Sequence, residues 1–132
     1  MSGFKIHTID GGRAPGIEYL PCGAITPKVG QALVMTNGNL AIAGGTTKPT
    51  YISMCERETA CADGEIIPVF RVLPDTVFES TFSAAATSVK LGSKVTLSAD
   101  GMQATGTTEG GIAEVVDMGG TAAGDLVRVR FQ

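Results

Sequence analysis

The sequence contains few of the residues from which catalytic sites are built. Its 132 residues include no tryptophan and one histidine, His7, and aromatic residues make up 5% of the chain. A Ser-His-Asp triad would have to recruit its only histidine from residue 7, outside any patterned element. The core must be mainly aliphatic. We therefore predict that the protein is not an enzyme and that it holds no cofactor and no metal.

Charge and long apolar runs are also scarce. Charged residues make up 17% of the chain and the net charge is −3, so no broad basic surface is available for nucleic acid. No run approaches the roughly 18 apolar residues of a membrane-spanning helix, and residues 1–7 lack the apolar run of a signal peptide. We expect a protein made in a cytoplasm, with neither nucleic acid nor a membrane as its partner.

The three cysteines, Cys22, Cys55 and Cys61, are predicted to be free and partly buried, because their number is odd and no secretion signal precedes them. Together with His7 they supply the residue types of a Cys3His zinc site. However, such sites usually contain a close cysteine pair on a knuckle turn, which this spacing lacks. Acidic residues flank Cys55 and Cys61 and oppose thiolate formation, so we interpret the cysteines as structural.

Glycine is abundant, with 18 residues, and its turn signals fall in a repeated order. Residues 25–73 and residues 89–131 each contain an apolar strand, an Asn-Gly or Asp-Gly turn, a Gly-Thr-Thr loop and a final alternating strand. The clearest alternation, over residues 126–131, is typical of a half-solvated antiparallel strand. One such unit cannot bury enough apolar surface alone. We predict an all-β fold with little helix: a compact β-barrel or sandwich built from two similar β-rich halves.

The first 24 residues look different from the rest. A Gly- and Pro-containing stretch at residues 11–16 shows no periodic apolar face. We predict a flexible N-terminal arm over residues 1–24, followed by a single β-domain over residues 25–132. Phe4 and Ile6 alternate with polar residues, so we predict a short strand there if another segment pairs with it.

The two copies differ at the positions expected to point outward. The second copy has Lys94, Thr96 and two arginines there, whereas the corresponding residues of the first copy are all apolar. An exposed apolar patch is unfavourable unless something covers it. This patch could be covered by a neighbouring subunit, by a larger host surface or by the chain's own arm. The residues that we predict to form an interface are Phe4, Ile6, Arg13, Val34, Pro68 and Phe70.

The order of turns and strands in the first copy also resembles that of a known protein family. Residues 28–34, Asn37-Gly38, residues 44–52 and residues 63–69 follow one another as turns and strands. This order resembles that of the head-decoration (capsid cement) proteins of tailed bacteriophages and their prophage relatives, and the likeness covers about half of the chain. Its motifs are turn and strand patterns, so no functional residue of the family carries over by position.

That resemblance implies a structural protein of the virion that has no catalytic activity. It implies binding to the major capsid protein on the outside of an expanded icosahedral shell, often as a homotrimer, after synthesis in the bacterial host cytoplasm. The N-terminal arm would add a strand to a capsid subunit. Each contact can be weak, because several subunits engage a repeated lattice together.

Two other functions remain open at the level of the sequence. A soluble β-barrel module that binds a small molecule or a carbohydrate would use the loops at residues 44–50 and 106–111 to line a ligand site. An enzyme that uses Cys55 or Cys61 would need an unusually reactive thiol. The structural role is the leading hypothesis.

Overall fold

The computed structural model describes residues 3–10 and 12–131, and every regular element in these ranges is a β-strand. Residues 1, 2, 11 and 132, which fall within the predicted arm and domain, lie outside this description. No helix that could span a membrane occurs in the two ranges. The all-β prediction is confirmed. The strands described are β1 (Lys5–Ile9), β2 (Ile17–Cys22), β3 (Ala32–Thr36), β4 (Asn39–Ile42), β5 (Tyr51–Ser53), β6 (Glu65–Arg71), β7 (Thr76–Thr81), β8 (Lys94–Val95), β9 (Ala113–Met118) and β10 (Leu126–Phe131).

The strands form two sheets. One is a closed barrel in the order β2-β4-β3-β5-β6, and the other is a five-stranded sheet in the order β1-β7-β10-β9-β8. The barrel closes where β2 and β4 run parallel and meet through the pair Cys22 and Leu40. The β3–β4 hairpin turns at Asn37 and Gly38, which both have positive φ angles of 50° and 82°. Both central residues of a type I′ turn require this conformation.

The two halves share one order of strand pairing. In the barrel, β3 pairs with β4 and β5, and β5 pairs with β6. In the sheet, β8 pairs with β9 and β9 with β10, while Leu97, just after β8, bridges to Ala104. The segment around Ala104 is therefore the counterpart of β4. The first half closes into a barrel through β2, whereas the second half stays open and is extended by β7 and β1.

Two apolar clusters stabilise this arrangement. The first lies inside the barrel and includes Leu33, Leu40 and Ile67. The second combines Ile52 of the barrel with Phe78 and other residues of the five-stranded sheet, so it fills the layer between the two sheets. The wall of the barrel that faces this layer is therefore apolar on both of its surfaces.

The N-terminal segment belongs to these sheets, which corrects the prediction of a separate arm over residues 1–24. β1 pairs with β7, and β2 pairs with β6 along its whole length. Phe4 is only 1% exposed, and its ring lies 5.4 Å from that of Phe131. Residues 12–16 lie in a loop between two paired strands. A local pattern of turn residues does not distinguish such a loop from an arm, because strand pairing is a long-range property.

Candidate functional site

The six predicted interface residues do not form one exposed surface. Val34 and Phe70 are half-buried against the cluster between the sheets, and Phe4 lies within it. The ring of Phe70 is stacked on that of Phe78 with centroids 6.1 Å apart. The chain's own five-stranded sheet therefore packs against these residues, which corrects the expectation that they belong to an uncovered outward patch. Of the other three, Ile6 and Arg13 are exposed and Pro68 is half-buried.

The cover extends along only part of the barrel wall. On β6, buried Ile67 and Val69 point into the barrel, and Ile66, Pro68 and Phe70 alternate with them and point outward. The five-stranded sheet packs on Phe70, at one end of this row. Towards the other end the exposure rises, and Ile66 is 55% exposed. The outward side of β6 is therefore buried at its Phe70 end and forms an exposed apolar surface at its Ile66 end.

Strand β2 doubles the width of this surface. Pairing places Ile17 opposite Phe70, Tyr19 opposite Pro68, and Pro21 opposite Ile66. Directly opposed residues of an antiparallel pair share one face of the sheet. Ile17 is 53% exposed and Tyr19 is 66% exposed. Strand β2 therefore contributes its own row of outward apolar residues.

On the other side of β6, the chain just after β5 adds Met54. Its N–H donates to the Pro68 carbonyl at 3.0 Å, which extends the row of Tyr19 and Pro68 by one residue. Sequence reasoning missed most of this surface because residues 1–24 were assigned to an arm, although Ile17, Tyr19 and Pro21 alternate as a strand does. We call this surface the β2–β6 face; its members are Ile17, Tyr19, Pro21, Met54, Ile66 and Pro68.

An apolar groove of about 300 Å³ continues the β2–β6 face towards the second sheet. Met54 belongs to both features, and Ile6 and Val29 form part of the groove wall. Ile6 lies opposite Phe78 in the β1–β7 pair, so it points towards the layer between the sheets. Among the residues that the structure describes, Lys5 is the only charged one that lines the groove. The face and the groove together form one continuous apolar surface.

Arg71 and Glu18, which are paired with each other, lie on the barrel-facing side of β6 and β2, opposite the β2–β6 face. Arg71, which follows Phe70, contacts Glu18 at 3.2 Å and lies with its guanidinium 4.9 Å from the centre of the Tyr51 ring. The hydrogen bond to Glu18 is the main reason that the pKa of Arg71 is raised.

The acidic residues near Cys55 and Cys61 hold the β5–β6 loop in place. Glu56 accepts a hydrogen bond from the Val29 N–H at 3.0 Å, which lowers its pKa below the ordinary value. Arg57 forms an ion pair with Glu65, and this contact lowers the pKa of the Glu65 carboxyl. Within residues 3–10 and 12–131, no group of three or more His, Cys, Asp or Glu side chains could hold a metal ion.

The cysteines lie at one end of the barrel. Cys22 and Cys61 are buried in the inner cluster, and half-buried Cys55 packs against it. Burial, followed by the neighbouring Cys61 thiol, raises the pKa of Cys22 to about 12. Cys22 is therefore a neutral thiol at physiological pH. The sole histidine, His7, lies on β1 in the other sheet.

A scan against models of protein families finds no family that matches this chain. A search of curated proteins finds no match either. The features that bear on function are therefore the β2–β6 face with its groove, and the thiol cluster at the end of the barrel.

Proposed function

We propose that the protein is a structural protein of a phage or prophage virion that binds the outside of the capsid through its β2–β6 face and stabilises the head shell. The observation that carries the proposal is the apolar character of this face. Ile17, Tyr19 and Ile66 stand side by side on two paired strands, and each exposes more than half of its surface. Such a surface is favourable only when a partner covers it.

The gain from covering this face is modest for a single subunit. Full burial of an isoleucine contributes about 1.5–3 kcal/mol, so covering the exposed half of Ile17 or of Ile66 contributes about 1 kcal/mol each. Tyr19 adds about 3 kcal/mol on the same scale. A total of about 5 kcal/mol is comparable to the entropy lost on association. A homo-oligomer that engages a repeated lattice at several sites overcomes this limit, because its later contacts form within one complex.

The resemblance of residues 28–69 to head-decoration proteins supports the choice of partner. The partner in this proposal is the major capsid protein, and the oligomer is a homotrimer that sits on the capsid exterior after synthesis in the bacterial host cytoplasm. Since Phe4 is part of the protein's own core, capsid binding uses the β2–β6 face rather than a mobile N-terminal strand.

The test combines light scattering with co-sedimentation on purified expanded capsids of the phage whose genome encodes the chain. We expect a trimer that pellets with capsids. The double variant Tyr19→Thr/Ile66→Thr should keep its thermal midpoint, since both residues are exposed, and should lose binding by more than tenfold. Leu91→Thr is the matched control, because Leu91 is 64% exposed in the turn before β8. A monomer that never pellets, or a double variant that binds like the wild type, would refute the proposal.

One observation favours a second candidate, a module that binds a small molecule or a carbohydrate. A depression of about 340 Å³ lies beside Lys48, Pro49 and Thr50, in the loop predicted to line a ligand site. Val72 and Pro74 complete part of its wall. A saturable rise in the thermal midpoint with a sugar or metabolite, lost in Lys48→Ala, would support this candidate over the first.

A further inference from the structure

Cys22 is distant in the sequence from Cys55 and Cys61, and all three lie at the end of the barrel. Cys22 is the last residue of β2 and pairs with both Leu40 of β4 and Glu65 of β6, so it stands where the barrel closes. Cys61 lies in the loop between β5 and β6, and Cys55 lies earlier in that loop. Cys22 and Cys61 are both buried in the inner cluster.

Backbone hydrogen bonds hold the two cysteine-bearing segments together. The Cys61 N–H donates to the Ile25 carbonyl at 2.8 Å, and the Gly64 N–H donates to the Cys22 carbonyl at 2.8 Å. Both thiols lie in the same buried cluster, and Cys61 is close enough to contribute to the raised pKa of Cys22. The β5–β6 loop is therefore held next to the closing residue of the barrel at Cys61 and at Gly64.

From this geometry we propose that Cys22 and Cys61 form a redox-sensitive pair that converts to an intramolecular disulfide when the protein meets a small-molecule disulfide. The Cys61 thiolate attacks the reagent, forms a mixed disulfide and releases one thiol. The Cys22 sulfur then attacks the Cys61 sulfur and releases the second thiol. Two cysteine thiols are oxidised and one reagent disulfide is reduced to two thiols, so atoms and electrons balance.

The roles of the two residues follow from their surroundings. Cys22 is fully buried and its thiol is neutral at physiological pH, so it is a poor first nucleophile. Cys61 belongs to a loop, and opening of that loop exposes it without separating the barrel strands. We therefore expect oxidation to be slow at neutral pH and faster at alkaline pH. The bond would close a loop of about 40 residues, which predicts a rise in thermal midpoint of about 10 °C.

The experiment treats the purified protein with oxidised glutathione and compares wild type, Cys55→Ser and Cys61→Ser. We expect wild type and Cys55→Ser to lose two free thiols each, to yield a Cys22–Cys61 linked peptide by mass spectrometry, and to gain about 10 °C in thermal midpoint. Added dithiothreitol should reverse the gain. Cys61→Ser should show no Cys22–Cys61 linked peptide and no gain in thermal midpoint.

Peptide mapping of the wild type decides the matter even if Cys61→Ser fails to fold. A linkage that involves Cys55, disulfides between chains only, or a Cys22–Cys61 bond that leaves the midpoint unchanged would overturn the proposal. So would three thiols that stay reduced after prolonged exposure at alkaline pH. These outcomes are independent of capsid binding, so they leave the proposed function untouched.

Discussion

The substitution Phe78→Ala tests whether the barrel and the five-stranded sheet form one cooperative unit. Phe78 is fully buried in the layer between them, with its ring centroid 6.1 Å from that of Phe70 and 5.5 Å from that of Phe131. Truncation of a buried phenylalanine to alanine costs about 3–5 kcal/mol, and each lost aromatic pair adds about 0.5–1.5 kcal/mol. We expect the free energy of unfolding to fall by about 5 kcal/mol.

This loss is a large share of the 5–15 kcal/mol that stabilises a typical domain. Urea unfolding followed by far-ultraviolet circular dichroism is the suitable assay, because the chain has no tryptophan. Ile66→Ala is the control: Ile66 lies on the exposed β2–β6 face, and its truncation should change the free energy by less than about 0.5 kcal/mol. A loss below about 1 kcal/mol for Phe78→Ala, or separate transitions for the two sheets in the wild type, would refute the reasoning.

Two further predictions concern the backbone and the pH dependence of stability. A Cβ at Gly111 would collide with the Lys94 carbonyl, whereas a Cβ at Gly16 meets nothing within 4 Å. In thermal or urea unfolding, Gly111→Ala should therefore lower the free energy of unfolding by more than about 2 kcal/mol, and Gly16→Ala should be neutral or slightly stabilising. Equal effects of the two substitutions would contradict this prediction. The ion pair with Arg57 lowers the pKa of Glu65 below its ordinary value, so its contribution to stability is present at neutral pH and is lost as the pH falls through the lowered folded-state pKa. Urea midpoints measured at neutral pH and near pH 3 should therefore fall further for wild type than for Glu65→Gln, and parallel curves would count against the ion pair.

Local patterns predicted the elements of the fold that depend on neighbouring residues. The alternation over residues 126–131 predicted β10, and Asn37-Gly38 predicted the β3–β4 hairpin. These signals are local because strand periodicity and turn conformation depend on a few adjacent residues. The partners of β1 and β2 are separated from them by tens of residues, and nothing in the glycine-containing loop between them encodes that pairing.

The apolar outer positions show a second limit on what can be predicted from the sequence. The pattern correctly assigned Val34 and Phe70 to the outer surface of the first half, but it carries no information about what covers that surface. The second half of the same chain packs against them. The uncovered part of the wall lies on Ile66 and on Tyr19, and Tyr19 belongs to a strand that the sequence reasoning did not include in the domain. The candidate site therefore depends on tertiary arrangement more than on local pattern.

Strand β2 is held very unequally along its two edges. Six residue pairs join it to β6, whereas one pair, together with the bond from the Gly23 N–H to the Leu40 carbonyl, joins it to β4. The least costly fluctuation of the barrel is therefore separation of β2 from β4 while β2 stays attached to β6. Amide protons along this seam should exchange with solvent well before those of the other barrel strands. Opening at this seam would give solvent access to the interior of the barrel where a single residue pair closes it.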